Sequence, residues 1–233
     1  MTRRDARECG LWFRVTRWAA GFAVALYILV GYTLLSTWNV DRFADGAHTR
    51  ALWTRLDRAV PVVPEAIWPY ALYYILVMMP MFAVRRVREL AEVCTAYLLV
   101  TMSAWVVYAL WPVRMEYPHL VCGGQISCDV LLRLWSMDMG VNVMPSLHAA
   151  HSALAALIFW SYRNKAWPLV ALGSAAVSVA AVLTRQHYIL DIVAGLLLAL
   201  VVWALVRRVS GALWPERAPV VARAAVREPG ADD

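Results

Sequence analysis

The sequence predicts an all-α integral membrane protein, in which six transmembrane helices form one bundle with a short interfacial helix beside them. Of its 233 residues, 62% are hydrophobic and 16% are charged, and the mean hydropathy is +0.57. A soluble domain carries about 25% charged residues, so this composition excludes an ordinary soluble domain. Six apolar runs alternate with polar segments, and each run is about as long as a helix that spans a bilayer.

The first span is predicted at residues 18–38, directly after an arginine-rich leader. The run is too long for the apolar part of a cleavable signal peptide, and no convincing small-residue cleavage site follows it. We therefore expect this segment to remain in the protein as a transmembrane helix.

The polar segment at residues 39–65 contains a short amphipathic stretch. Leu52, Leu56 and Val60 recur at helical spacing, with charged residues between them. This pattern predicts a helix at residues 51–60 that lies on the membrane surface.

Five further spans complete the predicted bundle. They are expected at residues 66–84, 91–111, 143–160, 167–183 and 189–206. A longer loop, residues 112–141, precedes the fourth span. We expect residues 1–210 to form a single membrane domain, and residues 211–233, rich in arginine, alanine and proline, to form a disordered cytoplasmic tail.

The charge of the connecting segments predicts the orientation. The leader, the links at residues 85–89 and 163–165 and the tail are basic, whereas the loops that alternate with them are near-neutral or mixed. The positive-inside rule then places both termini in the cytoplasm. Topology and anionic lipid headgroups explain the net charge of +6, so no nucleic-acid partner is expected.

Cys122 and Cys128 lie in a loop that is predicted to face outward, where oxidation is allowed. Both a disulfide and two free thiols are compatible with the sequence. The four cysteines contain no C-x-x-C pair, so no zinc pattern is present.

Two short stretches place histidines where apolar runs meet outer loops. One reads Met-Pro-Ser-Leu-His-Ala-Ala and contains Ser146 and His148; the other reads Thr-Arg-Gln-His-Tyr-Ile-Leu-Asp and contains Arg185, His187 and Asp191. Asp191 follows His187 by one helical turn, on the same face. Ionisable groups in a membrane are costly and usually functional, so we expect these residues to form a site.

These residue types suit the transfer of a phosphoryl group. A neutral imidazole attacks phosphorus, a carboxylate on its other nitrogen fixes the tautomer, and a protonated imidazole gives a proton to the leaving oxygen. Arginine offers a planar fork for phosphate oxygens, and Arg185 and Arg114 are the candidates. Ser146 and the amides at the start of the fourth span would add an anion site. No metal or other cofactor is expected.

Simpler roles stand beside these. His151, three residues after His148, is expected to pack in the core, with support of the site as the alternative. Arg185 would otherwise be an interfacial side chain that extends to the headgroups. Asp138 is expected to be an ordinary solvated charge of the loop.

The Pro-Ser-Leu-His stretch that ends at His148 resembles the P-S-G-H motif of the phosphatidic acid phosphatase type 2 superfamily, in the P-S-L-H-x-A form of its inositol-phosphorylceramide-synthase-like branch. His187 and Asp191 match the H-x3-D end of the superfamily's third motif. Residues 56–64, the tyrosines after them and the six-span layout also resemble this branch. The third motif usually reads S-R-x5-H-x3-D, but here the arginine stands two residues before the histidine. The K-x6-R-P motif is absent, and Arg114 is the nearest substitute.

The resemblance implies that residues 1–210 are a catalytic domain and that each motif residue has a role. His187 would be the nucleophile that forms a phosphohistidine, and Asp191 would orient it. His148 would protonate the departing alcohol, and Arg185 would hold the phosphate.

The expected function is that of a lipid-phosphate phosphatase or phosphotransferase in a bacterial inner membrane, with its site facing the periplasm. Its partners would be the bilayer, a membrane lipid phosphate, and either water or an alcohol acceptor; the sequence does not indicate an oligomeric state. A head-group phosphotransferase, sphingolipid- or inositol-lipid-synthase-like, is the first alternative. A transporter or scaffold is the second, although transporters usually show internal repeats and polar groups at the midplane, and we find neither.

Overall fold

The computed structural model describes residues 3–42, 50–138 and 140–213, except for the side chains of residues 3–9. Within these ranges the chain is helical and forms no β-strand, which confirms the predicted all-α class. The helices are α1 (Arg3–Arg42), α2 (Arg55–Ala59), α3 (Ile67–Ala71), α4 (Tyr73–Leu76), α5 (Pro80–Ala83), α6 (Val87–Leu110), α7 (Ile126–Asp138), α8 (Leu147–Ser161), α9 (Trp167–Leu183) and α10 (Ile189–Leu213).

Three helices in the described ranges are long and apolar enough to cross a membrane: the Gly10–Arg42 part of α1, α6 and α10. Two shorter apolar helices, α8 with 15 residues and α9 with 17, pack against each other. The chain is therefore a helical membrane protein. The count of six spans and the cytoplasmic position of the termini stay predictions.

The predicted second span, residues 66–84, is not one regular helix. A 3-10 turn at Pro64–Ala66 leads into α3, α4 and α5. Pro69 and Pro80 have no backbone N–H, so neither can donate an α-helical hydrogen bond to the residue four positions before it. Between these short helices the chain forms 3-10-type hydrogen bonds, from the amide of residue i+3 to the carbonyl of residue i. Leu72 N, for example, donates to Pro69 O at 3.3 Å.

Helix α1 extends beyond its predicted bounds of 18–38 at both ends. It packs on α6, where the ring of Trp105 lies so close to Gly31 that a side chain there would clash. At the other end of the bundle, Arg17 donates to the carbonyl of Val84 at 2.9 Å. These contacts hold α1 against the bundle.

The outer segments differ most from the predictions. The interfacial helix has five residues, not the ten of 51–60, and starts at the capping box that Thr54 forms with Asp57. The loop 112–141 contains α7, which buries Cys128, Leu131 and Trp135. The spacing of these three residues is helical and was readable from the sequence.

Cys122 and Cys128 form a disulfide, with their Cα atoms 5.6 Å apart, which confirms one of the two alternatives. At the C-terminal end of the chain, α10 continues past the boundary at residue 210 to Leu213. The rest of the predicted tail, residues 214–233, lies outside the described residues.

Helix α8 lies at the centre of the bundle, against α9, α10, α6, α4 and α5. Its Ala150, Leu154 and Ile158 are fully buried. Gly195 of α10 allows the two backbones to approach, because a Cβ at this position would clash with the carbonyl oxygen of Ser146. The close packing of α8 and α10 sets the distance between the two histidine stretches.

Candidate active site

The two histidine stretches meet at one end of the bundle. Ser146 is the N-cap of α8, which places His148 in its first turn. His187 lies in the link between α9 and α10, and Asp191 lies in the first turn of α10. The amide of Ser146 donates to the carbonyl of Asp191 at 3.0 Å and joins the two stretches directly.

The two imidazoles are in hydrogen-bond contact. Nδ1 of His148 lies 3.1 Å from Nε2 of His187. Nδ1 of His187 lies 2.9 Å from the carbonyl oxygen of Val143, which can only accept. In neutral His187 the proton is therefore on Nδ1, and Nε2 carries a lone pair.

The same logic extends to Tyr70 in α3. If Nε2 of His187 accepts, then Nδ1 of His148 donates, and Nε2 of His148 accepts from the Tyr70 hydroxyl at 2.8 Å. The result is a chain of hydrogen bonds from Tyr70 through His148 and His187 to Val143. Its direction follows from the single fact that a carbonyl cannot donate.

Asp191 lies behind His187, as expected, but is not the nearest acceptor. Its Oδ2 is 3.7 Å from Nδ1 of His187 and accepts from the amide of Tyr188 at 2.7 Å. Its Oδ1 is buried without a hydrogen-bond partner among the described residues. The tautomer is thus fixed by Val143, and the carboxyl group of Asp191 lies beside the ring.

Val143 is held in place by pairing between two extended segments. Met115 N donates to Gly140 O at 2.8 Å, and Val143 N donates to Val113 O at 3.4 Å. Gly140 has φ +64°, and a Cβ there would lie 2.9 Å from the carbonyl oxygen of Met115. This position requires glycine, and it directs the chain that carries the Val143 carbonyl.

A cavity of about 550 Å³ lies beside the histidines and extends along α1. Ligand sites are typically about 300–1,000 Å³. Polar and titratable side chains line one part of it: Asp138, Asn142, His148, Gln186 and His187. Apolar side chains of α1 and the α4 region line another: Phe22, Ala25, Leu26, Ile28, Leu29, Val77 and Met78. Several of these, including Phe22 and Leu26, are also largely exposed, so the apolar part adjoins the outer surface of the bundle.

A family model described as the PAP2 superfamily matches residues 36–205, which is well over half of the chain and includes both histidine stretches. The chain belongs to the PAP2 superfamily. Searches of curated proteins and of solved structures gave no match. Membership indicates a membrane-bound lipid phosphatase or phosphotransferase in general; the inositol-phosphorylceramide-synthase-like branch is not resolved by the match.

Three residues were expected to bind the phosphate: Arg185, Arg114 and Ser146. In this PAP2 protein none of the three lines the cavity. Arg185 is buried, and its two terminal nitrogens donate at 2.6 Å to the carbonyls of Asp57 and Val60. Arg114 is exposed. The hydroxyl of Ser146 is buried and accepts from the amide of Ala149 at 3.2 Å. Phosphate binding by these residues stays a prediction.

His151 lies in the core of the PAP2 bundle, one turn after His148. It is fully buried, and its ring nitrogens lie 3.0 Å from the hydroxyls of Tyr73 and Thr101. The ring centroid of Tyr73 lies 4.4 Å from that of His148. Both expected roles of His151, packing and support, are compatible with these contacts.

The sequence pattern missed Asp138, which is a partly buried residue at the end of α7 and not a solvated charge. Tyr32 donates to its Oδ1 at 2.9 Å, and Tyr117 lies 3.4 Å from its Oδ2. The side-chain amide of Gln186 is oriented so that both of its polar atoms form hydrogen bonds. Its nitrogen donates to Oδ2 of Asp138 at 2.8 Å, and its oxygen accepts from Nε1 of Trp135 at 3.2 Å. Burial raises the pKa of Asp138 to about 6, against the lowering effects of its tyrosine partners and of His187.

No cluster of three or more histidine, cysteine or carboxylate side chains suited to a metal occurs in the part of the chain that the structure describes.

Proposed function

We propose that this PAP2 protein is an integral membrane lipid-phosphate phosphatase or phosphotransferase that works through a phosphohistidine on His187. The observation that carries the proposal is the contact of 3.1 Å between Nδ1 of His148 and Nε2 of His187, with Nδ1 of His187 bound to a carbonyl. One imidazole is thereby prepared as a nucleophile, and a second stands beside its attacking nitrogen.

In the first step, Nε2 of His187 attacks the phosphorus of the substrate. The P–N bond forms while the P–O bond to the alcohol breaks, and protonated His148 gives its proton to the departing oxygen. The carboxylate of Asp191 stabilises the positive charge that develops on His187. Tyr70 suits both protonation states of His148, because a hydroxyl can donate to bare Nε2 or accept from Nε2–H.

In the second step, the oxygen of water or of an alcohol attacks the phosphohistidine. Its proton passes to His148, and the P–N bond breaks so that the electron pair returns to Nε2 of His187. Water gives a phosphatase, and an alcohol gives a transferase. The Pro-Ser-Leu-His form of the motif that ends at His148 favours the branch that resembles inositol-phosphorylceramide synthases, and hence the alcohol.

We place the site at the outer surface of a six-span domain, residues 1–210, with cytoplasmic termini, in a bacterial inner membrane. Basic side chains gather at the end of the bundle that is remote from the histidines: Arg85, Arg86, Arg88, Arg163, Lys165, Arg207 and Arg208. Basic segments favour the cytoplasmic side. The lipid substrate would bind with its phosphate at the histidines and its chain in the apolar part of the cavity.

The test is to incubate purified protein with labelled lipid phosphates and to trap the phosphoenzyme, with and without alcohol acceptors. We expect an acid-labile, base-stable phosphoenzyme in the wild type and none in His187→Asn. His148→Asn should slow turnover about 10²–10⁴-fold, the usual contribution of an acid–base residue. His119→Asn, at an exposed loop position, is the matched control and should behave as the wild type.

A His187→Asn variant that folds and still releases phosphate at the wild-type rate would contradict the proposal. If no lipid phosphate supports turnover of the wild type, the transporter and scaffold alternatives are favoured.

A further inference from the structure

Asp138 has no part in the two steps above, yet it lines the same cavity as His148 and His187. Helix α7 supplies the carboxylate, α1 supplies Tyr32, the outer loop supplies Tyr117, and the α9–α10 link supplies Gln186. Gln186 directly precedes the nucleophile in the chain. A carboxylate is therefore tied to the reacting residue through one neighbouring side chain.

The hydrogen bonds of Asp138 leave capacity for one more donor. An ionised carboxylate has about four lone-pair sites and no proton to donate. Tyr117 and Gln186 approach Oδ2, while Tyr32 approaches Oδ1. Oδ1 thus has one site left among the described partners, and no arginine or lysine of the described ranges forms an ion pair with it.

The free lone pair on Oδ1 of Asp138 can bind only a hydrogen-bond donor. An ionised phosphate offers only acceptors and is repelled by a carboxylate, so Asp138 is unsuited to hold the phosphate itself. A hydroxyl group supplies the missing proton, and hydrogen bonds to a charged acceptor are roughly twice as strong as neutral ones. The ligand chemistry that matches Asp138 is therefore an alcohol with a free hydroxyl.

In-line geometry specifies where such an alcohol would be. The departing oxygen leaves opposite Nε2 of His187, and the oxygen that attacks in the second step must also approach opposite Nε2. Both alcohols therefore pass through one position. A hydroxyl-binding group in the cavity would recognise the alcohol part of the donor and that of the acceptor alike.

We propose that Asp138, supported by Gln186, is a subsite that binds a free hydroxyl on the alcohol part of the substrate, on the donor, the acceptor or both. The proposal rests on the phosphohistidine mechanism and adds a substrate class, hydroxylated alcohols, that the mechanism leaves open. Asp138 is here a specificity-determining residue and does not touch phosphorus.

The donor arm of the test compares lysophosphatidic acid with phosphatidic acid, since the first bears a free hydroxyl where the second bears an ester. The acceptor arm compares glycerol with 1-propanol. In each arm the readout is the ratio of kcat/KM for the hydroxylated compound to that for its partner. We expect Asp138→Asn to lower this ratio about tenfold or more in at least one arm, which also identifies the source of the hydroxyl.

Asp129→Asn, at an exposed position of the same helix, is the matched control and should leave both ratios unchanged. Tyr117→Phe removes one donor to Oδ2 but keeps the carboxylate, so both ratios should persist even if stability falls. If Asp138→Asn does not fold, Tyr32→Phe takes its place. It leaves the carboxylate with a second open site on Oδ1 and should keep or raise the ratio.

Unchanged ratios in Asp138→Asn, or an equal loss for both members of each pair, would show a purely structural tie between α7 and α1 and overturn the proposal. A preference for ethanolamine over glycerol that depends on Asp138 would overturn the hydroxyl assignment. If the wild type forms no phosphoenzyme, the proposed function fails as well. If it forms one and the ratios do not move, the hydroxyl subsite alone is wrong.

Discussion

Arg185 shows how a single side chain can hold two outer segments together. Its guanidinium spans the carbonyls of Asp57 and Val60, and it lies 5.1 Å from the ring centroid of Trp53. Its φ of +55° bends the link just before His187. The planar fork of arginine fits this pair of acceptors, and lysine cannot reproduce it.

We therefore expect Arg185→Lys to lower the thermal midpoint by several degrees and to reduce turnover with it, although the positive charge is kept. Thermal unfolding and kcat/KM measured on the same preparations check this, and Arg133→Lys at an exposed site serves as the control. A rise in KM for the lipid phosphate with unchanged stability would instead indicate direct phosphate binding.

Asp138 gives a second prediction at this scale, on pH. Its pKa is raised from the ordinary value of 3.8 to about 6, so it takes up a proton as the pH falls through 6 and then loses its negative charge. The preference for hydroxylated substrates should decline below this pH, with a midpoint near 6, and the decline should be absent in Asp138→Asn. Profiles of the kcat/KM ratio at pH 5 to 8 test this. A decline of equal size in both proteins would contradict it.

The ratio is chosen because other ionisable groups lie nearby. Tyr32 of α1, Tyr117 of the outer loop and both site histidines face or adjoin Asp138. Effects of the histidines on the chemical steps are common to both substrates and cancel in the ratio.

The sequence predicted those site residues that act through a charged or titratable side chain in an apolar context. His148, His187 and Asp191 stand at the edges of apolar runs, where a charged or titratable residue is conspicuous. Val143 acts through its carbonyl, which no sequence pattern reveals. Asp138 became visible only with the fold, because its partners come from α1, the outer loop and the α9–α10 link.

Among the elements, helices set by apolar length were predicted well, and α9 has the predicted bounds. The segment 66–84 was predicted as one helix because its composition is apolar, but its prolines divide it. Helix α7 was missed because charged and polar residues obscure a short apolar stripe. Hydropathy alone therefore does not predict where a proline interrupts a helix or where a short amphipathic helix forms.

The contact between α8 and α10 gives a prediction for an element. A methyl group at Gly195 would clash with the carbonyl oxygen of Ser146 and lie 3.3 Å from the amide of Ala150. Gly195→Ala should therefore lower stability by about 1–3 kcal/mol and reduce turnover, because His148 and His187 depend on this spacing. Thermal unfolding in detergent and turnover of lipid phosphate measure the two effects.

Gly211 in the same helix is the matched control, since nothing lies within 4 Å of an added Cβ. Gly211→Ala should be neutral or stabilising by about 0.5–1 kcal/mol. Equal behaviour of the two variants would show that α10 can shift without cost.

At the scale of the whole molecule, basic side chains gather at the end of the bundle that is remote from the histidines, among them Arg85, Arg86, Arg163 and Lys165. The end remote from the histidines has a buried carboxylate, Glu92, which pairs with Arg207 at 2.7 Å and Arg88 at 3.0 Å. The histidine end exposes Trp111 and has Trp53 stacked near Arg185. The positive-inside rule predicts that this basic end faces the cytoplasm.

We expect His119→Cys to react with a membrane-impermeant maleimide in intact cells, and Lys165→Cys to react only after permeabilisation. Both positions are exposed, one at each end of the bundle. The parent chain, which contains the half-buried Cys94, gives the background. The reverse labelling pattern would place the histidines on the cytoplasmic side.

The contact between the two imidazoles has a consequence for affinity. Nitrogens 3.1 Å apart leave no space for phosphorus between them, so every phosphoryl ligand must first exchange one hydrogen bond within the protein. Such a bond contributes about 1 kcal/mol, equivalent to roughly fivefold in a binding constant. His148 thus competes with any phosphoryl ligand for Nε2 of His187. The cost is the same for free phosphate and for a lipid phosphate, so tight binding depends on the additional free energy that an alkyl chain supplies.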